Sequence, residues 1–150
     1  MSIELTPVGK IPEPELESRM QPTTPKKPTS KQKKAMLRKR VYLKYRGHCA
    51  YCGCKITPDT FQVDHIFPRA RYAKIHPDGN VNAFANLNPS CRSCNKYKDV
   101  YLLDELRHEI GQQIERLRRL STFNLAERYG LIHCTPKKVK FYFEKTKAKQ

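Results

Sequence analysis

The chain has 150 residues, a formal charge of +16, no Trp, 38% hydrophobic residues and a mean hydropathy of -0.76. Such length and polarity exclude a large apolar core and leave one small domain with tails, a size that commonly needs a metal or disulfide clamp. The charge, with a pI near 9.8, points to a polyanionic partner, nucleic acid before any other.

No stretch is apolar enough to span a bilayer. The start Met1 to Pro7 has neither the basic opening nor the apolar run of a signal peptide. The expectation is a cytoplasmic protein, in a bacterial or host cytoplasm, neither secreted nor membrane-bound. In that reducing compartment paired cysteines hold metal more often than they form disulfides.

In chain order, residues 1–30 carry Pro7, Pro12, Pro14, Pro22, Pro25 and Pro28 among polar neighbours, a composition that predicts a disordered tail. Between Lys26 and Arg46 there are ten Lys or Arg and no acid. After Ser30 as N-cap this run predicts a basic helix with a ragged apolar face of Ala35, Met36, Val41 and Tyr42, stopped at Gly47. Lys39 and Arg40 on it are candidate phosphate contacts, since unopposed cations on one helix repel unless a counter-charge is near.

Cys49-Ala50-Tyr51-Cys52 is followed by Gly53, suited to the left-handed turn of a metal knuckle. A second pair, Cys91-Arg92-Ser93-Cys94, completes a four-thiolate set in which two-residue spacing lets both sulfurs of each pair face one point. Structural zinc is the expected metal, and Cys54 is the competing donor for Cys52. Between the pairs, Phe61 to Asp64 predicts a short strand, residues 69–85 a long loop, and Asn86 to Pro89 a second strand. Ser90 would cap a helix holding Cys91, Cys94, Asn95 and Lys98.

Leu103, Leu106, Ile110, Ile114 and Leu117 recur at helical spacing and predict an amphipathic helix, Leu103 to Leu120, packed on the domain. A homodimer or a protein partner through that helix is the alternative. Ser121 or Thr122 caps a small helix, Phe123 to Tyr129, ended by Gly130. Val139 to Phe143 is β-like in composition, ahead of a Lys-rich end.

Phosphodiester hydrolysis needs a base at neutral pH and a cation near the phosphate. His65 is the candidate base, because histidine offers a neutral imidazole there. Asp64 and Asn95 supply hard oxygens that suit Mg²⁺ or Mn²⁺. Asp64 has a second candidate role, fixing the His65 tautomer. Consecutive residues of a regular strand point to opposite faces, so Asp64 and His65 share a site only where the strand ends or bends.

The pieces Arg40, Gly47, Cys49-x-x-Cys52-Gly53, Val63-Asp64-His65-Ile66-x-Pro68-Arg69, Asn86-Leu87 and Cys91-x-x-Cys94-Asn95-x-x-Lys98 together resemble the zinc-containing HNH endonucleases. The last motif position, often His in that family, is Asn95 here. The resemblance implies an α+β fold: a small ββα-metal core with a four-Cys zinc site, flanked by the basic helix and the long amphipathic helix. It implies a nuclease domain at 31–120 and an extension at 121–150. Asp64 and Asn95 would hold the catalytic ion, His65 would activate water, and Asn86, with Asn82 and Asn88 as alternatives, would orient the imidazole. The pinned cysteines would bring His65 and Asn95 into one cleft. Arg69, Arg71, Lys96 and Lys98 would contact phosphates of DNA, expected double-stranded. Small members of this family occur in phages and mobile elements. Two other readings keep the zinc: an inactive zinc-ribbon DNA-binding module, and a subunit of a larger nucleic-acid machine.

Overall fold

A computed structural model of the protein describes residues 27–76 and 79–147. Most of the expected Pro-rich tail lies outside them. The described residues form α1 (Ser30–Leu43), β1 (Gln62–His65), α2 (Arg69–Ile75), a 3₁₀ turn (Phe84–Asn86), β2 (Leu87–Ser90), α3 (Arg92–Lys98), α4 (Leu103–Gly111), α5 (Gln113–Arg118), α6 (Ser121–Arg128) and α7 (Tyr142–Lys147). This is an α+β fold around one antiparallel strand pair, and none of its described helices is long and apolar enough to cross a membrane.

α1 starts at Ser30 itself, so its cap is Thr29, one residue before the expected one. Thr29 Oγ1 accepts from Gln32 N, and Gln32 Oε1 accepts from Thr29 N at 2.8 Å, a reciprocal arrangement that satisfies two orphan donors. The helix buries Val41, with Leu37 and Tyr42 against the core, and leaves Met36 59% exposed. The turn before the first knuckle uses Gly47 at φ +73, and the knuckle itself closes on Gly53 at φ +79. A Cβ at Gly53 would stand 2.7 Å from the Tyr142 ring, so space and backbone both require glycine.

β1 and β2 pair in the register Gln62 to Ser90, Val63 to Pro89, Asp64 to Asn88 and His65 to Leu87. Pleating therefore divides the pair into a polar face, with Asp64, Asn88 and Ser90, and a second face with Val63, His65 and Leu87. Pro89 has no N–H to give, yet its carbonyl accepts from Ala50 N at 2.8 Å, tying the first knuckle to β2.

Three expectations need correction. The loop expected at 69–85 contains α2, which begins right after Pro68, a residue whose fixed φ suits a helix start. The helix expected from Leu103 to Leu120 breaks at Gln112, next to Gly111, where glycine's low helix propensity favours an interruption. Leu103, Leu106 and Ile110 of α4 pack on the core, while Leu117 and Leu120 stay exposed. The β-like run Val139 to Phe143 finds no strand to pair with. Instead Tyr142 N and Phe143 N donate to Tyr51 O and Ala50 O, each at 2.9 Å, and α7 starts there.

That return carries Phe141 into the core at 2% exposure, edge-on to Tyr51 at 5.6 Å. The expected division at residues 120 and 121 is thus no break in packing. Arg107 on α4 clamps the segment: it donates to Val139 O at 2.8 Å, grips Glu144 at 2.6 and 3.1 Å, and lies 4.7 Å over the Phe141 ring. The Arg107 hydrogen bonds hold the Glu144 carboxyl below the usual glutamate range. A depressed carboxyl stabilises above its unfolded value, and that contribution is lost as pH falls through the folded one.

Truncating Phe141 to Ala is expected to destabilise the fold by about 3–5 kcal/mol in urea denaturation. Arg107→Gln should flatten the acid limb of the melting temperature below about pH 4.5, where Glu144 titrates in the unfolded chain. An unchanged acid limb in that variant would count against the clamp.

Candidate functional site

The knuckles supply the first half of the site. One donor atom from each of Cys49, Cys52, Cys91 and Cys94 lies within 4.8 Å of all the others, and Cys52 Sγ is 3.9 Å from Cys91 Sγ. Sulfurs about 2.3 Å from a tetrahedral ion stand roughly 3.8 Å apart, so the arrangement fits zinc in kind and size. Hydrogen bonding from Cys94 holds the Cys49 thiol down to about 4, and the same contact pushes Cys94 upward. Four ionised sulfurs this close would repel one another without a cation among them. Cys54 stands outside the group and contributes its carbonyl to Cys49 N at 2.9 Å.

Tyr51, between the first two cysteines, reaches the polar face of the strand pair. Its hydroxyl donates to the Asp64 carboxylate. Lys98, the last residue of α3, is fully buried and places Nζ 3.3 Å from Asp64 Oδ2 and 2.7 Å from the His65 carbonyl. Burial pushes the Asp64 carboxyl up, and Tyr51 and Lys98 oppose that shift. Asn95 belongs to the same side: its Oδ1 accepts from Ser90 Oγ at 3.4 Å. Asn88 is also buried there and accepts from Lys44 Nζ at 3.1 Å.

His65 leaves the opposite face. His65 is the last residue of β1, and the pleat turns its side chain away from the Asp64 and Asn95 side. The two faces meet only at the strand end, where Lys98 holds the His65 carbonyl. The imidazole sits 3.0 Å, Nε2 to Oδ1, from Asn82. With the amide oxygen accepting, Nε2 carries the proton and Nδ1 keeps the lone pair.

Asn86 works elsewhere. Its amide accepts from Phe67 N at 2.8 Å and donates to Phe67 O at 3.2 Å and Val81 O at 2.9 Å. Backbone groups saturate it, so orienting the imidazole falls to Asn82, one of the two alternatives weighed from sequence.

The expected phosphate contacts scatter. Arg69 is exposed at the start of α2, beside the groove that His65 lines. Arg71 is ion-paired to Glu105 at 2.6 Å, and Lys98 is withdrawn because a fully buried amine cannot reach an outside phosphate. Lys96 is exposed on the far side of α3. Lys39 lines a different depression from His65, and Arg40 lies 4.6 Å over the Phe84 ring. Tyr51 went unread, since a buried hydroxyl leaves no periodic signal in a sequence, and Asn88, the other alternative for orienting the imidazole, lies on the Asp64 face instead.

As donors, Asp64 and Asn95 fit a hard divalent ion in kind. Lys98 is the competing cation at Asp64, so an ion would enter at the expense of that contact.

Against known proteins, residues 49–99 match the family model of the HNH endonuclease. That span, about a third of the chain, includes all four knuckle cysteines, Asp64, His65, Asn82 and Asn95. Among solved structures it is similar to the Type II-C Cas9 enzyme from Actinomyces naeslundii, at 23% identity and a TM-score of 0.44. That match covers 77% of this chain and 12% of the Cas9 chain. No curated protein gives a significant match.

Replacing Lys98 by Met should cost about 3–5 kcal/mol in urea denaturation, because it strands a buried carboxylate. Asp64→Asn combined with Lys98→Met is expected to recover a large part of that loss. Strictly additive single-variant effects would show that the pair is not coupled.

Proposed function

We propose that the protein is a metal-dependent endonuclease that hydrolyses phosphodiester bonds in DNA, with structural zinc in the knuckles. The observation that carries this reading is His65: it lies in the stretch matching HNH endonucleases, at a strand end, with Nε2 on Asn82 and Nδ1 left as acceptor. Nδ1 takes the proton of a water whose oxygen attacks phosphorus. The bond to the departing sugar oxygen breaks, and that oxygen takes a proton from solvent. Asn82 prevents the ring from turning its protonated nitrogen toward the water.

Asp64 and Asn95 would hold the divalent ion, Mg²⁺ or Mn²⁺, which when bound neutralises charge on the phosphate. Asn86 keeps the segment carrying Asn82 folded back against Phe67, so it acts as a positioning residue. Tyr51 and Lys98 fix the Asp64 carboxylate from the knuckle and helix sides. A zinc held by Cys49, Cys52, Cys91 and Cys94 would have four protein ligands and no open position, so its work would be to hold the scaffold.

The buried Lys98 beside Asp64 favours one rival, a DNA-binding module whose ion site is permanently closed. Purified protein incubated with supercoiled plasmid and Mg²⁺ separates the two. Ion-dependent nicking that a chelator stops and His65→Ala abolishes is expected, with Asn82→Ala slowed by about 10–100-fold. Plasmid left supercoiled to the same extent by wild type and His65→Ala would sink the nuclease reading and leave the binding module.

Elemental analysis should find one zinc per chain, and Cys91→Ala should lose both the metal and the cooperative unfolding transition, since metal-binding energy here is largely folding energy. Folded protein without zinc would overturn the scaffold assignment independently of activity.

A further inference from the structure

The face of the strand pair that carries His65 does not lie open; α1 covers part of it and leaves a groove of about 580 Å³ between them. α1 presents Lys33, Leu37 and Val41 at helical spacing, with Lys34 offset by one residue. Leu37 of α1 and Val63 of β1, both half-buried, form the floor above the core residues Val41 and Leu87, and Arg69 stands on the other rim. His65 and Asn82 line the same groove. Among the described residues no acidic side chain lines it.

Part of the domain's positive charge is neutralised and part is not. Arg71, Arg107, Arg116 and Arg118 are each paired to a glutamate at 2.6 to 2.9 Å. Lys33, Lys34 and Arg69 are exposed and have no carboxylate partner among the described residues. Cations gathered on one wall and left unpaired destabilise each other, and an external polyanion relieves that repulsion. An apolar floor between cationic rims matches a polynucleotide strand, whose phosphates are charged and whose sugars and bases present apolar faces. A paired duplex keeps its bases stacked inside and has none to lay on such a floor, whereas an unpaired strand does.

We propose that the α1–β1 groove is the track of a single polynucleotide strand, with Lys33, Lys34 and Arg69 gripping its phosphates and the Leu37 and Val63 floor receiving its sugars and bases. It delivers that strand to His65, and this last step rests on the nuclease reading; strand binding itself does not. The favoured substrate class is therefore an unpaired or locally opened strand, a narrower class than the double-stranded DNA expected from the sequence.

The test measures binding apart from cleavage, by fluorescence anisotropy in a His65→Ala background. The probes are a labelled single strand of about 20 nucleotides and its duplex. Lys33→Glu with Lys34→Glu is compared with a charge-matched control, Lys55→Glu with Lys137→Glu, on exposed positions outside the groove. All four substitutions are on exposed residues, and circular dichroism checks that both variants keep the fold. The groove variant should bind the single strand roughly tenfold more weakly, with the slope of log affinity against log salt reduced by about 0.7 for each lysine lost. The control should stay close to the parent, and the parent should bind the single strand more tightly than the duplex. Equal weakening by groove and control variants would overturn the track, and so would a parent that prefers the duplex. A wild type that cuts no plasmid but shows the groove effect would fail the nuclease reading alone. A wild type that cuts while both variants bind alike would fail the groove alone.

Discussion

Four sulfurs within 4.8 Å of one another join two knuckles that are 39 residues apart in the chain, measured from Cys52 to Cys91. Closing a loop of that length costs entropy that two four-residue strands and a nine-residue buried apolar core are poorly placed to offset alone. The rest of the domain hangs from this closure. Ala50 is fixed to Pro89 and Phe143, Tyr51 is aimed at Asp64, and Tyr142 packs where Gly53 leaves room. A residue's distance from the sulfurs thus sets how directly its placement depends on them.

The strand pair gives each of its faces a separate task. On one, Asp64 is surrounded by Tyr51 and Lys98, with Asn88 and Ser90 buried nearby and no buried side-chain polar atom left without a partner among the described residues. A satisfied polar network of this kind fixes geometry tightly, because any rotation strands a donor or a charge in low dielectric. On the other face the side chains are apolar apart from His65, and the neighbouring helix contributes unpaired cations. Rigidity lies behind the base and attraction lies in front of it.

Much of this was legible in the residues, and for definite reasons. Cysteine spacing, Gly53 and the Asp64-His65 pair are local signals whose chemistry does not depend on distant packing. The α4 stripe at Leu103, Leu106 and Ile110 was readable because burial imposes its period on a helix. Illegible features depended on partners far away in sequence. Val139 to Phe143 has strand composition, but knuckle carbonyls take the N–H groups of Tyr142 and Phe143 and a helix begins there. Lys98 reads as one more surface lysine until Asp64, 34 residues earlier, is seen beside it. Asn86 and Asn82 cannot be told apart by type, only by which one the backbone surrounds. Lys33 and Lys34 were hidden in a run of like charges, where composition announces a basic helix but not which side of it faces a cleft.

The Asn86 clasp has a consequence for how such a molecule can change. One side chain binds the backbone on both sides of an excursion that leaves at Phe67 and returns at Val81. The ends of that excursion are therefore set by Asn86 and not by what lies between them. Insertions or deletions inside it would leave His65 and Asn82 in register, much as the length of a handle is independent of its hinge. The segment carrying Arg69 can thus vary in length and sequence while His65 and Asn82 keep their positions.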